Sequence, residues 1–148
     1  MGLSGAAAFI RKLERIQNLG RELVPTVDQY LLILESAAKK NASGPRPQHI
    51  DKVTSNLVNS IKSSGASLKG LSITGDVSVN VIYAKIHEFG GVIVPINGPY
   101  LTWQTSDGKW HRATMVIIPP RPYMYPALEE TKSIFTQMLT DKVHEVFA

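Results

Sequence analysis

Histidine, glutamate and serine are the residue types of this sequence that could support catalysis. Their spacing decides whether they form a known catalytic motif. His87-Glu88 begins like the zinc motif of metalloproteases, but that motif needs a second histidine four residues after the first, where Gly91 stands. No serine lies in a Gly-x-Ser-x-Gly elbow, and no glycine-rich loop is placed to cradle a phosphate. Cysteine is absent, which excludes thiolate chemistry. The other histidines have no paired spacing: His49, His111 and His144. We therefore expect no enzyme, no cofactor and no metal site.

Composition indicates one globular domain, because 43% of the 148 residues are hydrophobic and 19% are charged. The net charge is +4, and the basic residues are spread from Arg11 to Lys142. The basic residues of a nucleic-acid-binding surface are normally clustered on one face. A small basic nucleic-acid-binding protein is therefore only an alternative interpretation. The apolar stretch Ala6–Ile10 is too short for a signal peptide or a membrane span, so we expect no membrane partner and synthesis in the cytoplasm.

Helical periodicity marks the two ends of the chain. One stripe of apolar residues at three- and four-residue steps includes Leu13 and stops near Gly20. A second stripe of this kind runs from Val24 to Ala38. Pro25 fits the first turn of a second helix, although one continuous kinked helix remains open. A carboxy-terminal helix is expected from about Pro126, with Glu129 and Glu130 in its first turn and Lys142 and His144 in its last, where they complement the helix dipole.

The middle of the chain combines a short helix with β-strands. After a loop over residues 39–48, a helical stripe comprises Ile50, Val53, Leu57 and Ile61. From Leu68 the period changes to two, which predicts two antiparallel strands joined at Thr74-Gly75-Asp76. Further β-prone runs cover residues 92–95, 100–104 and 109–118, and Thr105-Ser106-Asp107-Gly108 is a predicted hairpin turn. Trp103 and Trp110 flank that turn, so their rings could meet across the strands or cover a neighbouring subunit.

These elements predict an α+β fold, in which amino-terminal helices and a long carboxy-terminal helix pack on a central antiparallel sheet. We expect a single domain over residues 1–148. Its parts are the amino-terminal helices (1–43), a helix and antiparallel sheet with the hairpin (44–125), and the carboxy-terminal helix (126–148).

Two segments stand out. Tyr83 to Gly91 predicts a strand that leads into one helical turn, which stops at a glycine pair able to reverse the backbone. Ile117 to Ala127 contains four prolines and predicts a stiff, extended connector. The aromatic residues of that connector could form an interface with little loss of entropy, or could cap the protein's own core.

Four motifs in this order resemble the tail-completion proteins of long-tailed phages, including the morphogenesis proteins of Mu-like phages. The first is Ala37–Ala42 before Pro45 and Pro47. The second is Thr54–Ile61, in which Ser55 replaces the usual glycine. The third is Tyr83-Ala84 followed by Glu88-Phe89-Gly90-Gly91, and the fourth is Ile118–Tyr123. Together they cover roughly residues 37 to 128, and each alone would be weak.

The resemblance implies a structural virion protein that forms a homo-oligomeric ring in the tail neck, with a lumen for DNA passage. Its partners would be tail tube, tail terminator or head-connector proteins. Tail-terminator and head-closure roles stay open, as does the subunit number. A ring needs two different patches on each subunit, and we expect them on the 91–110 hairpin and the 121–125 connector. The expected interface residues are Phe89, Gly90, Gly91, Trp103, Trp110, Arg121, Tyr123, Met124 and Tyr125.

Overall fold

The computed structural model describes residues 3–43, 55–105 and 107–148. The loop prolines Pro45 and Pro47, His49 and the first half of the stripe at Ile50 and Val53 lie outside these ranges, as does Ser106. The α+β class is confirmed, with a long helix at each end and antiparallel strand pairs between them.

The amino-terminal part is one continuous helix, which was the open alternative to the two helices that Pro25 favoured. Helix α1 runs from Leu3 to Ala42 and contains Pro25 in its interior. Proline in a helix interior removes one backbone hydrogen bond and crowds the preceding turn, a cost of about 3 kcal/mol. Packing along the helix must offset that cost.

Helix α4 (Met124–Phe147) packs antiparallel on α1. Phe135 stacks on Tyr30 with ring centroids 4.2 Å apart, and the Tyr30 hydroxyl lies 3.2 Å from Thr131 Oγ1. Near the far end, Lys142 Nζ lies 4.0 Å from a Glu22 carboxylate oxygen. Helix α4 begins at Met124, two residues before the expected start at Pro126. The first turn therefore contains no acidic residue, and the predicted placement of Glu129 and Glu130 in it is wrong. In the last turn the basic residue is His144.

The strands form four two-stranded antiparallel ladders, where a single central sheet was expected. After α2 (Ser55–Ser60), β1 (Ile61–Ser63) pairs with β4 (Val77–Val79), and β2 (Ser67–Lys69) pairs with β3 (Ser72–Thr74). Ile61 therefore starts a strand and does not end a helix. The two strands on either side of Gly75 do not pair with each other, contrary to the prediction. We call residues 61–79 the first hairpin.

Helix α1 covers the first hairpin. The Ser63 amide donates to Glu35 Oε2 at 2.7 Å, and the Ala66 amide donates to Asp28 Oδ1. Leu31 lies so close to Gly75 that a Cβ there would be 2.5 Å from Leu31 Cδ1. One face of the helix therefore supplies both apolar contact and acceptors for strand amides.

A second hairpin occupies residues 91–118. After α3 (Ala84–Phe89), β5 (Gly91–Ile93) pairs with β8 (Val116–Ile118), and β6 (Leu101–Gln104) pairs with β7 (Trp110–Ala113). Among its described residues none is buried. The first hairpin, in contrast, contributes Ile61 to the core, beside Leu57, Tyr123 and the small residues Ala38, Ala42 and Ala127.

At acidic pH, the dependence of the unfolding free energy on pH should report on the ionisation of Glu35. Its hydrogen bond with Lys39, together with the Ser63 amide, lowers the pKa of Glu35 from 4.5 to about 2. A lowered folded-state pKa stabilises the fold above pH 4.5, and this contribution is lost as the pH falls toward 2. We expect Glu35→Gln to cost about 1–2 kcal/mol at pH 7 and to reduce the difference in unfolding free energy between pH 7 and pH 3.

Urea unfolding at the two pH values measures this effect. Glu14→Gln is the matched control, because it removes the same charge from an exposed part of α1. An equal pH dependence in all three proteins would contradict the assignment.

Candidate interaction surfaces

The two segments that stood out in the sequence dock on one another. The carboxylate of Glu88 at the end of α3 accepts three backbone N–H donors, from Tyr123 at 2.8 Å and from Met124 and Tyr125 at 3.0 Å each. The amide of Arg121 donates to the carbonyl of His87 at 2.7 Å. These bonds join α3 to the connector. We call this unit, residues 83–91 with 118–125, the corner.

Glu88 acts as the amino-terminal cap of α4. The residue in the cap position, Tyr123, makes no side-chain capping bond of its own. The first amides of a helix lack partners within it, and the positive end of the helix dipole favours an anion. Glu88 meets both needs and is buried, with 9% of its surface exposed. This role of Glu88 was not predicted; its signal in the sequence is the lack of Ser, Thr, Asp or Asn before the predicted α4.

Gly90 lets the two segments approach. Its φ is 70° and its ψ is 178°, a combination that is essentially confined to glycine. A Cβ at this position would lie 2.8 Å from the Pro120 nitrogen and 2.9 Å from the Ile118 carbonyl oxygen. Gly91 has no positive φ, and it starts β5. The glycine pair therefore ends α3 and starts the second hairpin, as predicted, but the strand predicted before the helical turn is absent, because Tyr83 lies in a turn that leads into α3.

Two titratable rings lie in the corner. Burial lowers the pKa of His87, and the positive charge of Arg121 lowers it further. The ring packs edge-on against Tyr83, with centroids 5.8 Å apart. Burial, with a smaller contribution from the charge of Glu88, raises the pKa of Tyr123 to about 12. Burial therefore favours the neutral form of both rings.

The expected interface residues of the connector divide between core and surface. Tyr123 is only 2% exposed and belongs to the core, so its assignment to an interface is wrong. Its side chain packs where α4 begins beside α1. Arg121 and Met124 are half-buried. Phe89 and Tyr125, in contrast, are 72% and 65% exposed. These two rings border an open apolar groove of about 540 Å³, which also touches Leu34, Ala84 and Leu128.

The tryptophans of the second hairpin do not face each other. Trp103 pairs with His111, and its ring stacks on the imidazole with centroids 5.5 Å apart. Trp110 pairs with Gln104, one position along. Because neighbouring strand residues point to opposite faces, the two rings lie on different faces, and the predicted cross-strand contact is wrong. Both rings remain exposed to solvent.

An apolar patch lies on one face of the second hairpin. Val92 pairs with Ile117, and Val94 and Met115 each lie two residues from one of them, the step at which side chains of an extended chain share a face. These four side chains are between 56% and 67% exposed. A contiguous apolar surface of this kind is typical of an interaction site. We call it the hairpin patch: Val92, Val94, Met115 and Ile117.

A second apolar patch lies near the amino-terminal end of α1. Residues 5–18 are all exposed, because α4 runs alongside α1 only as far as about residue 17. This limit follows from the contact of Lys142 with Glu22, five residues before α4 ends at Phe147. The four large apolar side chains of this stretch are between 44% and 63% exposed. We call them the helix patch: Phe9, Ile10, Leu13 and Ile16.

Comparison with protein-family models, with curated proteins and with solved structures finds no match to this chain. Across the described ranges, no helix is long and apolar enough to cross a membrane. In the same ranges, no three His, Asp or Glu side chains are grouped so that they could hold a metal ion. The surfaces described above are the candidate site: the helix patch, the hairpin patch and the groove beside the corner.

Proposed function

We propose that this chain is a structural protein of a phage tail neck, which forms a homo-oligomeric ring and completes the tail or joins it to the head. The observation that carries the proposal is the presence of two separate apolar patches on one small chain. A ring requires contacts between two different surfaces of each subunit, and the helix and hairpin patches are candidates for those surfaces.

The corner adds support, because it combines two of the four motifs in which the sequence resembles tail-completion proteins. Glu88 and Gly90 lie in one of those motifs, and Pro120 and Arg121 lie in the other. Their contacts fix the position of the base of the second hairpin relative to α4. Ring closure depends on a defined angle between the two surfaces of a subunit. The proposed partners are tail tube, tail terminator and head-connector proteins, and terminator or head-closure roles would use the same ring geometry.

Electron microscopy of the purified protein tests the proposal. We expect annular particles with a central opening, either alone or after addition of tail tubes. We also expect a phage whose copy of this protein carries Ile117→Glu to lose infectious tails, while Lys132→Glu, on the exposed surface of α4, leaves infectivity unchanged. Full infectivity of the Ile117→Glu phage, together with the absence of annular particles of the natural chain alone and with tail tubes, would contradict the proposal.

The nucleic-acid-binding alternative has one observation in its favour. Arg11, Lys12 and Arg15 are exposed on the projecting part of α1. Phosphate binding of this kind weakens steeply with salt because counterions are released, whereas association through apolar patches does not. DNA binding that falls with salt, without annular particles, would favour the alternative.

A further inference from the structure

The face of α1 that covers the first hairpin continues into the exposed part of the helix. Contacts to that hairpin come from Gly20, Asp28, Leu31 and Glu35, of which Gly20 touches the side chain of Leu68. Counting back from Gly20 in steps of four and three gives Ile16, Leu13 and Phe9. Residues at these steps share one helix face. The helix patch therefore presents the same helix face that packs on a β-hairpin between Gly20 and Glu35.

The second hairpin lacks the cover that the first one has. An isolated two-stranded hairpin is marginally stable in water, and it normally gains stability from packing against a helix or further strands. In the described chain α1 supplies this packing for the first hairpin, but no helix lies over the hairpin patch. Within the described residues, each molecule thus has one uncovered stretch of helix and one uncovered hairpin.

We propose that the helix patch of one copy packs on the hairpin patch of the next copy and repeats between subunits the α1–hairpin packing seen within the chain. This inference specifies the contact between subunits of the proposed ring, and it therefore rests on the proposed function. The occupant of each patch is a second copy of this chain. Because the two patches differ, the contact is head-to-tail, and every copy can make it twice.

The apolar surface is sufficient for such a contact. An exposed apolar side chain offers on the order of 100 Å² to a partner, so four on each side contribute roughly 800 Å². Apolar atoms make up about 57–65% of specific interfaces, which brings the whole contact to roughly 1,300 Å². Stable specific interfaces begin at about 1,200 Å². The contact therefore falls at the lower end of that class.

Charge gives the contact a distinguishing property. Residues 5–18 carry three basic side chains and one acidic, and residues 91–118 carry two basic and one acidic. Both surfaces are therefore weakly positive. Salt screens their mutual repulsion and leaves apolar contact in place, so self-association should become stronger as salt concentration rises.

Two variants, one for each patch, test the proposal by sedimentation velocity. The helix variant is Leu13→Glu with Ile16→Glu, and the hairpin variant is Val94→Glu with Ile117→Glu. Each should be folded by circular dichroism, because the altered side chains are exposed, and each should associate roughly 100-fold more weakly than the natural chain. An equimolar mixture should form a one-to-one dimer, because one intact helix patch and one intact hairpin patch remain, and it should not assemble further.

The matched control is Ala7→Glu with Asn18→Glu, which adds two carboxylates to the opposite face of the same helix stretch. It should assemble like the natural chain. The proposed contact is overturned if the mixture yields no dimer or if both patch variants assemble normally. Normal assembly of both variants would leave the ring itself in place with a different interface. A natural chain that stays monomeric would also overturn the contact, and the infectivity experiment would then decide the proposed function separately.

Discussion

Replacing Glu88 with alanine is expected to lower the free energy of unfolding by about 3–5 kcal/mol. The substitution leaves the amides of Tyr123, Met124 and Tyr125 without the acceptor they share. A buried donor without a partner costs about 1–3 kcal/mol, and the start of α4 also loses a favourable charge. Because Tyr123 is part of the core, fraying of this turn would also loosen the packing around Leu57 and Ile61.

Chemical denaturation measures the loss, and two further variants identify its cause. Glu88→Gln keeps the shape and one amide oxygen as acceptor, so we expect a smaller loss of about 1–2 kcal/mol. Glu130→Ala removes a carboxylate from the exposed surface of the same helix and should change stability by less than about 0.5 kcal/mol. Hydrogen exchange at the three amides should accelerate in Glu88→Ala. If Glu88→Ala were as stable as Glu130→Ala, Glu88 would not be the cap of α4.

The helices could be predicted from the sequence because their signal is local. Apolar steps of three and four residues marked the helical regions at both ends of the chain, although they divided the continuous helix α1 into two stripes between Gly20 and Val24. Pro25 made the continuity of α1 ambiguous, because its local cost favours a break. Contacts such as the stacking of Tyr30 on Phe135 come from residues more than a hundred positions away. Local periodicity cannot supply that information.

Strand positions could be predicted, but strand partners could not. Period-two alternation correctly marked Ile73, Val77 and Val79 as β-structure around Gly75. Alternation does not show which edge a strand pairs with, and nearness in the sequence wrongly suggested a tight hairpin. The observed ladders close instead at Gly70-Leu71, where Gly70 has a φ of 63°.

The tryptophan prediction failed by a single residue. A four-residue turn at 105–108 would place Trp103 opposite Trp110. The observed connection is one residue longer and includes Lys109, whose carbonyl accepts a hydrogen bond from the Thr105 amide at 2.9 Å. A shift of one residue in register moves a side chain to the other face of a sheet. Turn residues indicated a hairpin, but they did not determine its length.

At the corner, the sequence indicated the two segments but not the contacts between them. Both of its segments were singled out, one for its glycines and one for its prolines. Nothing local indicated that Glu88 reaches Tyr123, 35 residues away, or that the chain reverses tightly enough at Gly90 to touch Pro120. In the sequence, Glu88 belongs to an incomplete metalloprotease motif and to the third of the four motifs, and neither indicates a helix cap. Its role depends on a helix end that lacks its own cap, which is a property of the fold.

Replacing Gly90 with alanine should have an effect as large as the loss of the Glu88 carboxylate, for a different reason. A non-glycine residue at its φ and ψ costs on the order of 1–3 kcal/mol. The new Cβ would also press on backbone atoms of Ile118 and Pro120, which cannot rotate away as a side chain can. We expect a total loss of about 4 kcal/mol, measured by chemical denaturation.

Two other glycines separate these contributions. Gly98 has open space around it and no positive φ, so Gly98→Ala should change stability by less than about 0.5 kcal/mol. Gly70 has a φ of 63° and open space, so Gly70→Ala should cost about 1–2 kcal/mol from backbone strain alone. The excess of Gly90→Ala over Gly70→Ala then measures the close approach of α3 to the connector. If that excess were zero, the corner would not require the contact that joins its two motifs. The hydrogen bonds of the Glu88 carboxylate and of the His87 carbonyl would then be the contacts that hold the base of the second hairpin beside α4.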